Sequence, residues 1–147
     1  MTVTISGKPV PVPTPETQPF WDGCVAGELR IQRCLGCMTA FFYPRPVCPA
    51  CGSADVEWFT ASGQATLYSY VINHRPAPGF EDDGPYAIAV VQLAEGPRMM
   101  TSLTGVANAP EDLILDMPLR VTFEQRGDVY LPVFTPAAAP ASPGAGP

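Results

Sequence analysis

Cys34-Leu35-Gly36-Cys37 and, ten residues later, Cys48-Pro49-Ala50-Cys51-Gly52 form two matched Cys-x-x-Cys knuckles. At this separation four sulfurs can stand at the corners of a tetrahedron, the arrangement in which a d¹⁰ ion such as Zn²⁺ accepts thiolates. The two-residue gap lets each backbone curl until both sulfurs face one point. Gly36 and Gly52 sit where such a turn needs a residue tolerant of positive φ. The segment between holds Phe41, Phe42 and Tyr43, then Pro44-Arg45-Pro46, enough for one short hairpin arm. Two disulfides would need an oxidising compartment. A thioredoxin-like centre would be one Cys-x-x-Cys beside a βαβ pattern. The expectation is a structural zinc held by Cys34, Cys37, Cys48 and Cys51. Iron in a rubredoxin-like site is the other ion that tetrahedral S₄ suits. Four protein ligands leave no open position for water or substrate.

Outward from the knuckles, the 147 residues suit one domain or two small ones. Apolar residues make up 46% and charged residues 15%, enough for one modest core. With 19 prolines and 13 glycines, the chain should be rich in turns and poor in long helices. No apolar run is long enough for a membrane-spanning helix. Met1 to Ser6 carry neither a basic region nor an apolar one, so a cytoplasmic location is expected. The net charge is −6, and the acidity concentrates late: residues 1–59 carry four basic and five acidic side chains, residues 60–147 four and nine. A phosphate-binding surface needs a basic patch, and none is evident. No nucleic-acid partner is expected.

Residues 1–28 read as an extended proline-bearing arm and a helix. Thr14-Pro15-Glu16 has the pattern of a helix start, with a hydroxyl N-cap, proline at the first position and an acid in the first turn. Phe20 with Cys24, and Trp21 with Val25, are i,i+4 pairs, and Gly27 is the C-cap candidate. Phe20 and Trp21 suit either the chain's own core or a partner surface, where aromatics are favoured anchors. Cys24 lies outside the metal pattern and reads as a small buried hydrophobe. Residues 29–55 are the ribbon, entered by the alternating strand Leu29 to Arg33. Residues 56–135 read as a series of short strands: Val56 to Ala61, Ala65 to Asn73, Tyr86 to Leu93, Arg98 to Thr104, Leu119 to Glu124 and Val129 to Phe134. In the second of these, Leu67, Ser69 and Val71 alternate with Thr66, Tyr68, Tyr70 and Ile72. Arg75 to Pro85, with its acidic Glu81-Asp82-Asp83, is a long loop, and Asn108 to Asp116 suits one helical turn. The Ala/Pro/Gly-rich residues 136–147 are expected to be a disordered tail. The fold class is mainly β: an N-terminal helix, a rubredoxin-like zinc ribbon, then a five-stranded OB-type barrel.

Taken together, these motifs resemble the zinc-ribbon/OB-fold accessory proteins of thiolase-type enzymes, the domain-of-unknown-function family thirty-five. The likeness runs from Phe20 to Pro136. It rests on Phe20-Trp21, Arg33-Cys34, Pro44-Arg45 and Cys48-Pro49-x-Cys51-Gly52. It continues through Ser62-Gly63, His74, Pro85-Tyr86, Glu95-Gly96, the run Met117-x-Leu119-x-Val121-x-Phe123-Glu124, and Leu131-Pro132-x-Phe134-x-Pro136. The family often has glycine where this chain has Ala65 and Asp116.

The resemblance implies a non-catalytic subunit that binds and supports a thiolase-like catalytic subunit of the lipid-transfer-protein type, with acyl-CoA near the interface. In some relatives the partner is a retro-aldolase acting in steroid side-chain degradation, and a MaoC-type hydratase is fused to the accessory domain or works beside it. Phe20, Trp21, Phe42, Tyr43 and Arg45, which flank the ribbon, are the candidate partner interface. The residues themselves agree that catalysis within the chain is not expected. The lone histidine, His74, has no matched acid or nucleophile, and Cys24 has no neighbouring Lys or His to activate it. The alternative is a single-stranded nucleic-acid-binding module stacking bases on Tyr68, Tyr70, Phe80 and Tyr86, which the acidic charge opposes. A rubredoxin-like electron carrier would have no use for the barrel.

Overall fold

A computed structural model of the chain describes residues 3–5, 8–75 and 84–137. The expected Glu81–Asp83 loop, Phe80 and residues 138–147 of the tail lie outside the described residues. The described elements are β1 (Val3–Ile5), β2 (Lys8–Val10), α1 (Gln18–Ala26), β3 (Arg30–Cys34), β4 (Ala40–Phe41), β5 (Val56–Thr60), β6 (Gln64–Asn73), β7 (Tyr86–Leu93), β8 (Arg98–Thr101), β9 (Pro118–Arg126) and β10 (Val129–Pro136). They form a two-stranded sheet, β1-β2, a three-stranded ribbon sheet, β4-β3-β5, and a five-stranded antiparallel sheet, β10-β9-β6-β7-β8. No described helix is long and apolar enough to cross a membrane.

The helix begins one turn later than its sequence pattern suggests. Thr17 is the N-cap, and Pro19 falls in the first helical turn. Thr14 to Thr17 close a separate turn, with the Thr17 N–H donating to Thr14 O at 3.0 Å and the Thr14 N–H donating to Thr17 Oγ1 at 2.9 Å. That local bonding occupies the Thr17 hydroxyl, so the helix has no side-chain cap. Gly27 ends the helix as expected, at φ 77, with the Gly27 and Glu28 N–H groups donating to Cys24 O and Gly23 O.

The five-stranded sheet curls as an OB fold requires. β6 is the central strand but pairs with β9 only over Gln64–Thr66, while it follows β7 from Ala65 to Asn73. Past β8 the chain crosses to β10, where Leu103 bridges Phe134 in parallel and the Thr104 N–H donates to Phe134 O at 2.9 Å. The simple alternation expected along β6 does not hold. The register slips between Leu67 and Ser69, leaving Tyr68 as an extra residue in a bulge. Leu67 is fully buried, yet Val71, assigned to the same face, is 60% exposed; Tyr70 and Ile72 turn inward instead. Asn108 to Asp116 form turns rather than a helical turn, and Asp116, where the resemblance leads one to expect glycine, takes the left-handed conformation at φ 68.

One core joins the parts. Phe20 and Cys24 of α1, and Leu29 and Ile31 of the ribbon, share a buried cluster with Leu67, Val91, Leu93, Leu119 and Phe134 of the barrel sheet. β5, which the sequence reading grouped with the barrel, pairs with β3 from Val56↔Cys34 to Thr60↔Arg30. A smaller cluster of Cys34, Phe41 and Cys48, with Val56 against it, lies beneath the knuckles.

Candidate metal centre

The two knuckles have the same backbone plan. In the first, the Cys34 N–H donates to Thr39 O and the Met38 N–H to Cys34 O, at 2.9 and 2.8 Å. In the second, the Cys48 N–H donates to Ser53 O and the Gly52 N–H to Cys48 O, at 2.8 and 2.9 Å. The fifth residue of each turn is therefore the one driven to positive φ, Met38 at 64° and Gly52 at 79°. Gly36 has no such role, because it is the third residue of its turn; its N–H points at Cys34 Sγ, 3.2 Å away. The Cys37 and Ala50 N–H groups likewise donate to Cys34 Sγ and Cys48 Sγ, at 3.4 and 3.3 Å.

These turns bring the four cysteines of the pattern together. Their sulfurs lie within 4.8 Å of one another, with Cys34 and Cys51 at 3.6 Å and Cys37 and Cys48 at 3.7 Å. Tetrahedral zinc with Zn–S of about 2.3 Å requires S···S separations of about 3.8 Å. The donor set fits a four-coordinate ion. The four thiols also perturb one another. The Cys37 thiol is pulled down to about 6, chiefly by the Thr39 hydroxyl at 3.2 Å. Cys34 is also lowered, first by the Cys37 N–H. At Cys51 the Ser53 N–H favours the thiolate, but the sulfurs of Cys34 and Cys37 oppose it and push the thiol up to about 12. Crowded thiolates repel, and a divalent cation removes that conflict. Cys34 and Cys48 are buried, Cys37 and Cys51 exposed, so the centre sits at the edge of the fold.

Cys24 is apart from this cluster. It is buried in the main core, and burial pushes its thiol up to about 12, the behaviour of an inert apolar residue.

Beside the knuckles the aromatics stack edge to face from inside to outside. Phe20 meets Trp21 at 4.8 Å and Phe42 at 5.6 Å, and Phe42 meets Tyr43 at 6.1 Å. Phe20 is 5% exposed, so it is not available as a contact residue; it belongs to the core and backs the rings that reach the surface. Trp21 and Phe42 are half-buried, Tyr43 is 60% exposed and Arg45 is exposed. An open groove of about 280 Å³ separates Trp21, Phe42 and Tyr43 from Pro11 and Val12 of the arm. Tyr43 has φ 121, a left-handed conformation that costs a bulky residue about 1–3 kcal/mol.

One residue of this region escaped the sequence reading. Gln32 is buried in mid-β3, and its amide bonds both backbone groups of Arg45. In an alternating strand a glutamine looks solvent-facing, and only the fold of the Pro44-Arg45-Pro46 segment over β3 covers it.

Comparison with known proteins bears on the whole arrangement. Residues 21–57 match the family described as "ChsH2, rubredoxin-like zinc ribbon domain", and residues 58–124 that described as "ChsH2, C-terminal OB-fold domain". A solved chain titled "Ltp2-ChsH2(DUF35) aldolase" superposes with a TM-score of 0.74 at 36% identity, covering 88% of this chain and 100% of that one. The chain belongs to the DUF35 family. Among curated relatives, a "Probable enoyl-CoA hydratase alpha subunit" of Thermomonospora curvata is 40% identical over 80% of this chain, and the "3-oxo-4,17-pregnadiene-20-carboxyl-CoA hydratase alpha subunit" of Mycobacterium tuberculosis 38% over 74%. A "DUF35 domain-containing scaffold protein" of Pyrococcus furiosus is 43% identical over 49% of this chain. The DUF35 chain described here spans 37%, 33% and 52% of the lengths of these three relatives.

Proposed function

We propose that this DUF35 chain is a non-catalytic accessory subunit. In this reading it binds and supports a thiolase-superfamily enzyme acting on acyl-CoA, in the cytoplasm, and the partner performs retro-aldol cleavage in steroid side-chain degradation. The observation that carries the reading is the coverage of an entire solved chain, titled as part of an Ltp2-ChsH2(DUF35) aldolase, by both the ribbon and the barrel of this one. The relatives named as a scaffold protein and as hydratase alpha subunits support the same class of role. The hydratase names favour a hydratase as a second companion, which in this reading is of the MaoC type.

The chemistry of the chain is consistent with this division of labour. Zinc held by Cys34, Cys37, Cys48 and Cys51 would have a complete thiolate shell, tethering the two knuckles and leaving no site for substrate. His74 is exposed at the end of β6, and Cys24 is buried. The partner contributes the groups that break the carbon–carbon bond. This chain contributes surface, with Trp21, Phe42, Tyr43 and Arg45 as the contact candidates and the acyl-CoA lying near them. Co-expression with a thiolase-like partner tests the reading: one complex is expected on size-exclusion chromatography, and separate elution of the two chains would contradict it.

A further inference from the structure

Gln32 is the buried polar residue of the described core, and it treats Arg45 as a neighbouring strand would. Its Nε2 donates to Arg45 O at 3.0 Å, and its Oε1 accepts from the Arg45 N–H at 2.7 Å. Both backbone groups of Arg45 are thus held, although β4 ends at Phe41 and Arg45 belongs to no strand. Pro44 and Pro46 restrict φ on either side of it. The segment from Tyr43 to Pro46 is therefore fixed in shape without sheet pairing. An apolar residue at position 32 would fill the same space and order nothing.

What the clamp presents is an aromatic ring and a cation. Tyr43 stands 60% exposed at φ 121, its ring edge-on to Phe42. Among the described residues the Arg45 side chain has no ion pair and no hydrogen bond; the bonds at Arg45 are those of its backbone. Tyr43, strained and exposed, and the Arg45 guanidinium two residues on both lie at the surface.

We propose that Tyr43 and Arg45 form a preset knob that enters an apolar pocket rimmed by a carboxylate on the catalytic partner, and that Gln32 is the residue that holds the knob in its docking shape. The proposal rests on the accessory-subunit reading above. The occupant is argued from charge: the Arg45 cation finds no acid here, and a carboxylate accepts its guanidinium bidentately. Presetting the loop removes the ordering cost that a mobile Tyr43 would bring to the interface.

The test measures the affinity of the full chain for its co-purified thiolase-like partner by calorimetry, with zinc content recorded for each variant. Tyr43→Ala is expected to weaken binding about tenfold or more, and Arg45→Ala about threefold with a shallower salt dependence. Gln32→Met keeps the volume and loses both hydrogen bonds. It should weaken binding about three- to tenfold, keep its zinc, and show faster exchange of the Arg45 amide while the β3–β5 amides stay protected. If the wild-type chain binds and Tyr43→Ala and Gln32→Met bind equally well, the knob is overturned and the accessory role stands. Self-association of this chain that Tyr43→Ala abolishes would place a second copy on the knob and overturn the proposal too. If the wild-type chain binds no thiolase-like partner, the accessory reading fails and the knob fails with it.

Discussion

Gly63 and Val121 meet where the chain passes from the ribbon into the barrel: the Val121 N–H donates to Gly63 O at 2.8 Å, and a Cβ on Gly63 would lie 2.7 Å from Val121 Cγ1. Gly63 also has φ 85. Close approach and left-handed backbone both demand glycine at this junction. Val121 is β-branched, so few χ1 positions are open to move its methyl clear of the added carbon. Gly63→Ala should cost about 1–3 kcal/mol in a urea melt. The double variant with Val121→Ala should recover part of that loss, since it relieves the clash and leaves the backbone strain.

The four-sulfur centre predicts a stoichiometry. About one zinc per chain is expected by elemental analysis. Cys34→Ser should abolish tight binding and unfold the ribbon, because metal-binding energy is folding energy in so small a unit. Cys24→Ser should keep the metal, since Cys24 lies in the other cluster. Two disulfides by mass, or zinc lost from Cys24→Ser, would contradict the assignment.

Phe20 and Tyr43 are joined through Phe42 but should behave oppositely. Phe20→Ala opens a cavity in the shared core and should cost about 3–5 kcal/mol of stability. Tyr43→Ala removes an exposed ring and should leave the melting temperature within about 2 °C of wild type. Thermal melts of the two variants check this ordering.

The acidic barrel half predicts an absence. No salt-sensitive binding to single-stranded oligonucleotides is expected at physiological ionic strength. Tyr68, one of the rings that base stacking would need, already carries the Arg98 guanidinium 3.8 Å above its centroid. Micromolar binding in a fluorescence-anisotropy titration would favour the nucleic-acid reading instead.

The metal pattern was legible because it depends on spacing alone: two Cys-x-x-Cys pairs specify the cluster before any packing is known. The strand series was legible for a similar reason, since alternation survives in β7, where the buried positions are Ala87, Ala89, Val91 and Leu93. Features decided by a single hydrogen bond or an inserted residue were not. The bulge at Tyr68 reverses the faces of β6, and no residue type there announces it. Thr14 has the look of a cap, but its bonds to Thr17 close a separate turn and leave Thr17 as the helix boundary. Met38 takes the left-handed position that Gly52 fills in the second knuckle, so glycine alone misplaced the turn. Gln32 became visible only when the segment carrying Arg45, thirteen residues away, was seen to cover it.

The measurement that tests the central claim most directly is the cleavage rate of a steroid side-chain hydroxyacyl-CoA by the thiolase-like partner, with and without this chain. The account predicts no turnover by this chain alone, little by the partner alone, and full activity when the two form a complex. A partner that is soluble and fully active without this chain would contradict it.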